Sequence, residues 1–265
     1  GVVLFLTRSW SDRAIGVAAV VLLLQPVEWY HYIANLINPA HRLPDLKVAE
    51  MYGEVADYTK AGNWRDFLLG NVTLGQKASF LWAVNAGRFV QTAGLFLLGF
   101  FIGRKQLFMT NEKNIAFGTK VLIISAISFA PLYTLKELVM ENDPIVQQTV
   151  GTAFDMWQKL AFTLVLVASF ILLYQHKNFS KAVAGLRFYG KMSLTNYISQ
   201  SIIGVFIYFP IGLNLAPYCG YTLSLSVGFL IFLLQLRFCK WWLARHKQGP
   251  LEYIWHKCTW IGTGK

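Results

Sequence analysis

Six stretches of this chain, approximately 14–37, 80–103, 117–138, 148–175, 191–213 and 218–243, are each long and apolar enough to cross a bilayer. A spanning helix needs about 20 mostly apolar residues. Inside hydrocarbon every backbone N–H and C=O must find a partner within the protein, so such stretches fold as helices. None of the six is a clean Leu/Val run. Each carries polar residues, the pattern of helices packed with polar atoms turned away from lipid. The expected fold is therefore all-α: a polytopic membrane helix bundle of about six transmembrane helices, with a surface amphipathic helix and a short C-terminal helix. Residues 1–265 read as a single transmembrane domain. Nothing resembles a cleavable signal peptide. A chain that opens at Gly1, already apolar, reads as the C-terminal part of a larger membrane protein.

Charge content supports this class. Only 14% of residues are charged, against roughly 25% for a soluble domain. The net charge of +11 suggests a nucleic-acid partner when taken alone, but the charges sit between apolar runs and form no single patch. The expected partner is the lipid bilayer. Numbering the connections alternately puts sixteen Lys/Arg on the side holding both chain ends and six on the other, with Arg88 and Lys159 inside helices. The positive-inside rule places both ends in the cytoplasm.

Two connections stand out. Residues 38–79 hold Leu46, Ala49, Tyr52 and Ala56 at helical spacing, which predicts an amphipathic helix at the membrane surface or, alternatively, a solvated loop with one helix. At the other end, Gly249-Pro250 stops the last span, and Pro250 suits the first turn of a new short helix. Trp241, Trp242, Trp255 and Trp260 form an interface belt there.

The chemistry is carried by polar residues inside spans. Arg88 lies in AVNAGRFVQTAGLF, with Asn85 and Gln91 three residues away on either side, giving a polar stripe. A membrane-embedded Arg is costly and is usually paired or turned to a cavity. The partner read for it is Glu28, in LLLQPVEWYHYIANL, with His31 on the same helical face and Pro26 as a kink. Gly87, Gly94 and Gly99 allow close approach of a neighbouring helix. Asp155 and Lys159 are spaced to neutralise each other. In GKMSLTNYISQS, Ser193, Asn196 and Gln200 share one face. The three cysteines, Cys219, Cys239 and Cys258, lack metal-type spacing. No metal cluster, phosphate loop or nucleophile elbow is present in the sequence.

Three motifs in order, GRFVQTAGLFLLGFFIGRKQLF, GKMSLTNYISQS and GPLEYIWHKCTW, resemble the YeiB-like bacterial membrane proteins, whose C-terminal region is the DUF418 domain. The family pattern has Arg where this chain has Lys191, Trp at Tyr253 and Arg at His256; the likeness extends from about Arg8 to Trp260. The resemblance implies kinship with multi-span membrane acyltransferases, such as heparan-α-glucosaminide N-acetyltransferase and bacterial sugar O-acyltransferases. It implies acyl-CoA as donor substrate, no tightly bound cofactor, an envelope glycan as acceptor, and further helices ahead of this sequence.

The residues leave several readings open. In the acyltransferase reading, His31 and Glu28 are the candidate catalytic residues, while Arg88, Gln91, Asn196 and Gln200 bind substrate in a shared polar pocket. In a second, the protein transports or exports a small solute. In a third, it is a structural membrane subunit whose polar side chains hold helices together.

Overall fold

The structure, a computed structural model, describes residues 2–109 and 111–261; Lys265, one of the sixteen basic residues counted above, lies outside them. In chain order the helices are α1 (Val2–Leu6), α2 (Asp12–Leu23), α3 (Pro26–Ile37), α4 (Val48–Lys60) and α5 (Trp64–Asn85). There follow α6 (Arg88–Arg104), α7 (Glu112–Met140), α8 (Pro144–Tyr174), α9 (Lys177–Ala182) and α10 (Leu186–Lys191). The chain ends with α11 (Ser193–Tyr208), α12 (Tyr221–Leu243) and α13 (Pro250–Thr259). No strand occurs among the described residues, so the all-α expectation holds.

Three helices, α7, α8 and α12, are long and apolar enough to cross a membrane unaided. Two pairs qualify as bent spans: α2 with α3, turning by 48°, and α5 with α6, turning by 74°. That makes three, or up to five if each bent pair is one span, where about six were expected. The 191–213 stretch falls short because α11 has 16 residues, a rise of about 24 Å, and its chain leaves helical geometry at Phe209. Apolar side chains cover the outside of these helices. Only 6% of the most apolar stretch of α7 is buried, 17% of α8 and 11% of α12, as expected when lipid is the solvent.

The chain divides into two compact units, residues 1–49 with 77–176, and residues 50–76 with 177–265. In the first unit α2 packs along α6, and α7 along α8. Ile15, Ala19 and Leu97 bury together where α2 meets α6. Gly94 makes this contact tight: a Cβ there would stand 3.0 Å from Leu23 Cγ. Gly99 has nothing within 4 Å, so of the glycines expected to admit a neighbour it is the one that does not. The buried residues of α7 and α8 include several small ones, Ser125, Ala153, Ala161 and Ala168, the kind that allows close helix contact in lipid. The expected Asp155–Lys159 pair forms at 2.5 Å and is joined by Lys136 of α7 at 3.4 Å from the other carboxylate oxygen.

In the second unit α4 covers three of the four positions of the expected amphipathic helix, Leu46 preceding it. The Tyr58 ring of α4 sits over Gly70 and Gly75 of α5, where no side chain would fit. Further on, α11 and α12 run antiparallel, since Asn196 at the start of α11 touches Cys239 near the end of α12. Gly249 and Pro250 open α13 as the sequence predicts.

Candidate functional site

Left-handed backbone marks both helix breaks of the first unit. Pro26 has no N–H to continue α2 and disfavours helical geometry in the residue before it. Gln25 answers by adopting the left-handed conformation, φ 58°, although it is not glycine. The carbonyl of Leu23, which would have bonded within a continuous helix, instead accepts the indole N–H of Trp157 from α8 at 2.8 Å. Trp157 also stacks on Trp29 of α3, with ring centroids 6.0 Å apart. The break is thus held from the side by one aromatic residue of another helix.

The second break faces the first. Gly87, φ 60°, caps α6. A Cβ on it would lie 2.7 Å from Glu28 Oε1, 3.4 Å from Met156 Cε and 3.6 Å from Gln25 Oε1. Glycine is therefore required twice over, by backbone conformation and by the carboxylate pressed against it. The buried Glu28 side chain sits at the start of α6, where the helix dipole favours negative charge. The next residue, Arg88, donates from Nη1 to Gln91 Oε1 at 2.9 Å and lies over the Trp82 ring at 5.5 Å. Two donors here, Gln25 Nε2 and Arg88 Nε, are buried with no partner among the described residues.

One and two turns along α3 from Glu28 come His31 and Asn35. His31 Nδ1 is 3.1 Å from His41 Nε2, and the two rings stack. Asn35 donates to the His41 carbonyl at 3.0 Å. Asn35 also lines a polar cleft of about 580 Å³ with Arg42, Asp143 and Gln148.

The second unit holds a different network. Asn196, 2% exposed, donates to the Tyr189 carbonyl and exchanges contacts with the Cys239 thiol. Gln200 donates to Tyr189 Oη at 2.6 Å and to Gln235 Oε1 at 3.0 Å, while Gln235 donates to Ser199 Oγ at 2.8 Å. Beside it lies a clasp between α11 and α13. The Glu252 carboxylate accepts the N–H groups of Leu194 and Thr195 and the Thr195 hydroxyl, capping α11 from another helix. Thr195 Oγ1 in turn accepts the N–H of Leu251, capping α13. Burial works against ionisation of Glu252, but the bonds from Thr195, its own N–H and Leu194 outweigh it and hold this carboxyl below the ordinary 4.5.

Residues 102–262 match the family described as "Protein of unknown function (DUF418)". The chain belongs to the DUF418 family. It is 25% identical over 95 residues to the "Uncharacterized protein YxaH" of Bacillus subtilis, covering 36% of this chain and 24% of that one. It is 35% identical over 89 residues to the "Uncharacterized 39.9 kDa protein in amylase 3'region" of Bacillus acidopullulyticus, covering 34% of this chain and 25% of that one. The matches thus span about a quarter of the length of these curated relatives. No solved structure matches the chain.

In this DUF418 protein the six candidate residues separate into groups. Arg88 joins Gln91, Asn196 joins the network of Gln200, Glu28 meets Gly87, and His31 meets His41. The expected Arg88–Glu28 ion pair does not form, because the break at Gly87 turns α6 away and Gln91 takes the guanidinium. The same break ends the polar stripe at Arg88, leaving Asn85 on α5. Arg88 and Gln91 belong to the first compact unit, Asn196 and Gln200 to the second. Sequence reasoning missed Gln25, His41, Trp157, Tyr189, Gln235 and Glu252. Only Glu252 left a signal, lying inside the GPLEYIW motif, two residues after a helix-starting Pro.

Replacing Gly87 by Ala forces a side chain into left-handed backbone at about 1–2 kcal/mol and against Glu28. A lowered unfolding temperature in detergent is the expected result. For the clasp, a carboxyl held below its ordinary value stabilises fully above pH 4.5 and progressively less as pH falls through its depressed value. Glu252→Gln is expected to lose about 1.5–3 kcal/mol at neutral pH and to flatten the acid side of the stability profile.

Proposed function

We propose that this DUF418 protein transfers an acyl group from acyl-CoA to a hydroxyl of an envelope glycan, within the bacterial inner membrane. The observation that carries this reading is the His31–His41 contact of 3.1 Å beside the polar cleft of Asn35, Arg42 and Asp143. When one imidazole donates to the other, the donor's tautomer is fixed and its outer nitrogen is left free to accept a proton. Such a base takes the proton of an attacking hydroxyl while the new C–O bond forms at the thioester carbon. The C–S bond then breaks, and the thiolate leaves with that proton. Glu28, one turn before His31, adds a carboxylate at the helix break. Arg88 and Gln91 supply donors for the acyl or phosphate oxygens. Asn196 and Gln200 have their hydrogen bonds taken up between α11, α12 and Tyr189, so we assign them to helix adhesion.

The orientation proposed is both chain ends cytoplasmic, with α11 as a short sixth crossing. Its support is the charge bias and the hairpin of α11 and α12, which begins at Lys191 and ends beside Arg237 and Lys240 with no Lys or Arg between 192 and 236.

A second reading, transport of a small solute, is favoured by one observation: two bent spans whose breaks meet at Gly87. Discontinuous helices of this kind hold substrates near the bilayer midplane in transporters. One comparison separates the two. The full-length protein is incubated with labelled acyl-CoA and envelope extract, and His31→Asn is compared with wild type. The acyl-transfer reading expects product from wild type and a loss of about 10²–10⁴ in rate for the variant, with unchanged unfolding temperature. No product from wild type, together with solute uptake into proteoliposomes, sinks it in favour of transport.

A further inference from the structure

Within the second unit, the stretch from α9 to the start of α13 carries a one-sided charge. From Lys177 to Pro250 there are eight Lys/Arg and no Asp or Glu. The next acid is Glu252, whose oxygens are engaged by Leu194 and Thr195 in the helix clasp. Two of the eight, Arg237 and Lys240, are exposed on the last turns of α12, and neither pairs with a carboxylate among the described residues. They close one end of a groove of about 450 Å³ whose other lining is Gly185, Leu233, Leu234 and Leu236.

The helical register explains the groove. Leu233, Leu236, Arg237 and Lys240 follow one another at intervals of three, four and seven from the first, so they form one stripe along α12. The stripe is apolar toward the middle of the span and cationic at its end. Gly185, in the turn between α9 and α10, forms the facing wall; its Cβ position lies 3.6 Å from Leu236 Cδ1, so a larger side chain would fill the space.

We infer that this groove is a specific site for an anionic phospholipid, with one acyl chain along Leu233 and Leu236 and the phosphate between Arg237 and Lys240. Charge and apolarity together select this occupant. An acidic protein segment or a nucleic acid would satisfy the cations but brings no hydrocarbon chain for the groove. A zwitterionic lipid would fill the groove but offers the cations no net charge. Basic residues just outside a span attract anionic headgroups by roughly 1 kcal/mol each, which sets the scale of the expected preference.

Native mass spectrometry of the purified protein in detergent, titrated with phosphatidylglycerol or phosphatidylcholine, tests this directly. Wild type is expected to retain phosphatidylglycerol in preference, with one tightly held copy. Arg237→Gln with Lys240→Gln is expected to weaken that copy by about fivefold per charge removed, while the charge-keeping Arg237→Lys with Lys240→Arg retains it. Gly185→Leu is expected to lose the copy with both charges still in place. Circular dichroism and unfolding temperature verify that each variant folds. Equal retention of the two lipids, or retention untouched by the double neutralisation, overturns the site. So does a charge effect that survives Gly185→Leu, since headgroup attraction without the groove, as an acidic peptide or oligonucleotide would also show, is not what is claimed.

Discussion

Everything in the first unit depends on how backbone groups are satisfied where two helices break inside a bilayer-spanning stretch. A free carbonyl in hydrocarbon has no water to turn to, and leaving one unpaired costs about 1–3 kcal/mol. The break between Leu23 and Pro26 leaves such a group at Leu23, and Trp157 meets it. That single bond ties α8 to the break, and the stacking of Trp157 on Trp29 ties α8 to the following helix as well. The position of Glu28 follows, because it lies in the first turn of a helix fixed at its start. Once Glu28 is placed, residue 87 can only be glycine.

The second unit meets the same constraint at helix ends. The first N–H groups of α11 and α13 lie where spanning helices begin or end, and each helix supplies the other's cap. A reciprocal arrangement of this kind needs Glu252 two residues after Pro250, Thr195 in the first turn of α11, and no side chain at Gly249, whose Cβ position falls on the Glu252 carboxylate. This clasp joins two of the motifs by which the DUF418 resemblance is recognised. The family match over 102–262 contains it, along with α7, α8 and the Asn196 network. Glu28, His31, Arg88 and Gln91 all precede that region. Membership in DUF418 therefore speaks for the scaffold of the chain and is silent on the residues proposed for its chemistry.

The sequence made the class and most helices legible because hydrophobic length is a local signal. Three candidate spans, two bent pairs and the Pro250 helix all lie where apolar runs and Gly-Pro punctuation put them. What it did not reveal is direction after a break. Glu28 and Arg88 look like partners if each stretch is a straight rod, but a 74° turn at Gly87 sends the guanidinium to its own helical neighbour. His31 was legible as a candidate, whereas His41 was not, since it lies ten residues on in an irregular segment. Tyr189, Gln235 and Glu252 act through contacts 46, 36 and 58 residues distant. No periodicity records such pairings.

Gln25 shows why the break bears on function as well as on folding. A residue in left-handed backbone ahead of proline is strained unless it is glycine, and strain of this kind persists only where the surroundings over-determine it. Here the sequence keeps a glutamine that is 1% exposed, with its carbonyl oxygen 3.6 Å from the Gly87 Cβ position and its amide nitrogen unpaired among the described residues. Glycine would relieve the backbone, so the side chain is what accounts for glutamine. Beside it Arg88 Nε is likewise buried and unpaired. A substrate oxygen bonded by either donor would displace no hydrogen bond already made, and this is the ground for giving Arg88 a binding role in the proposed reaction.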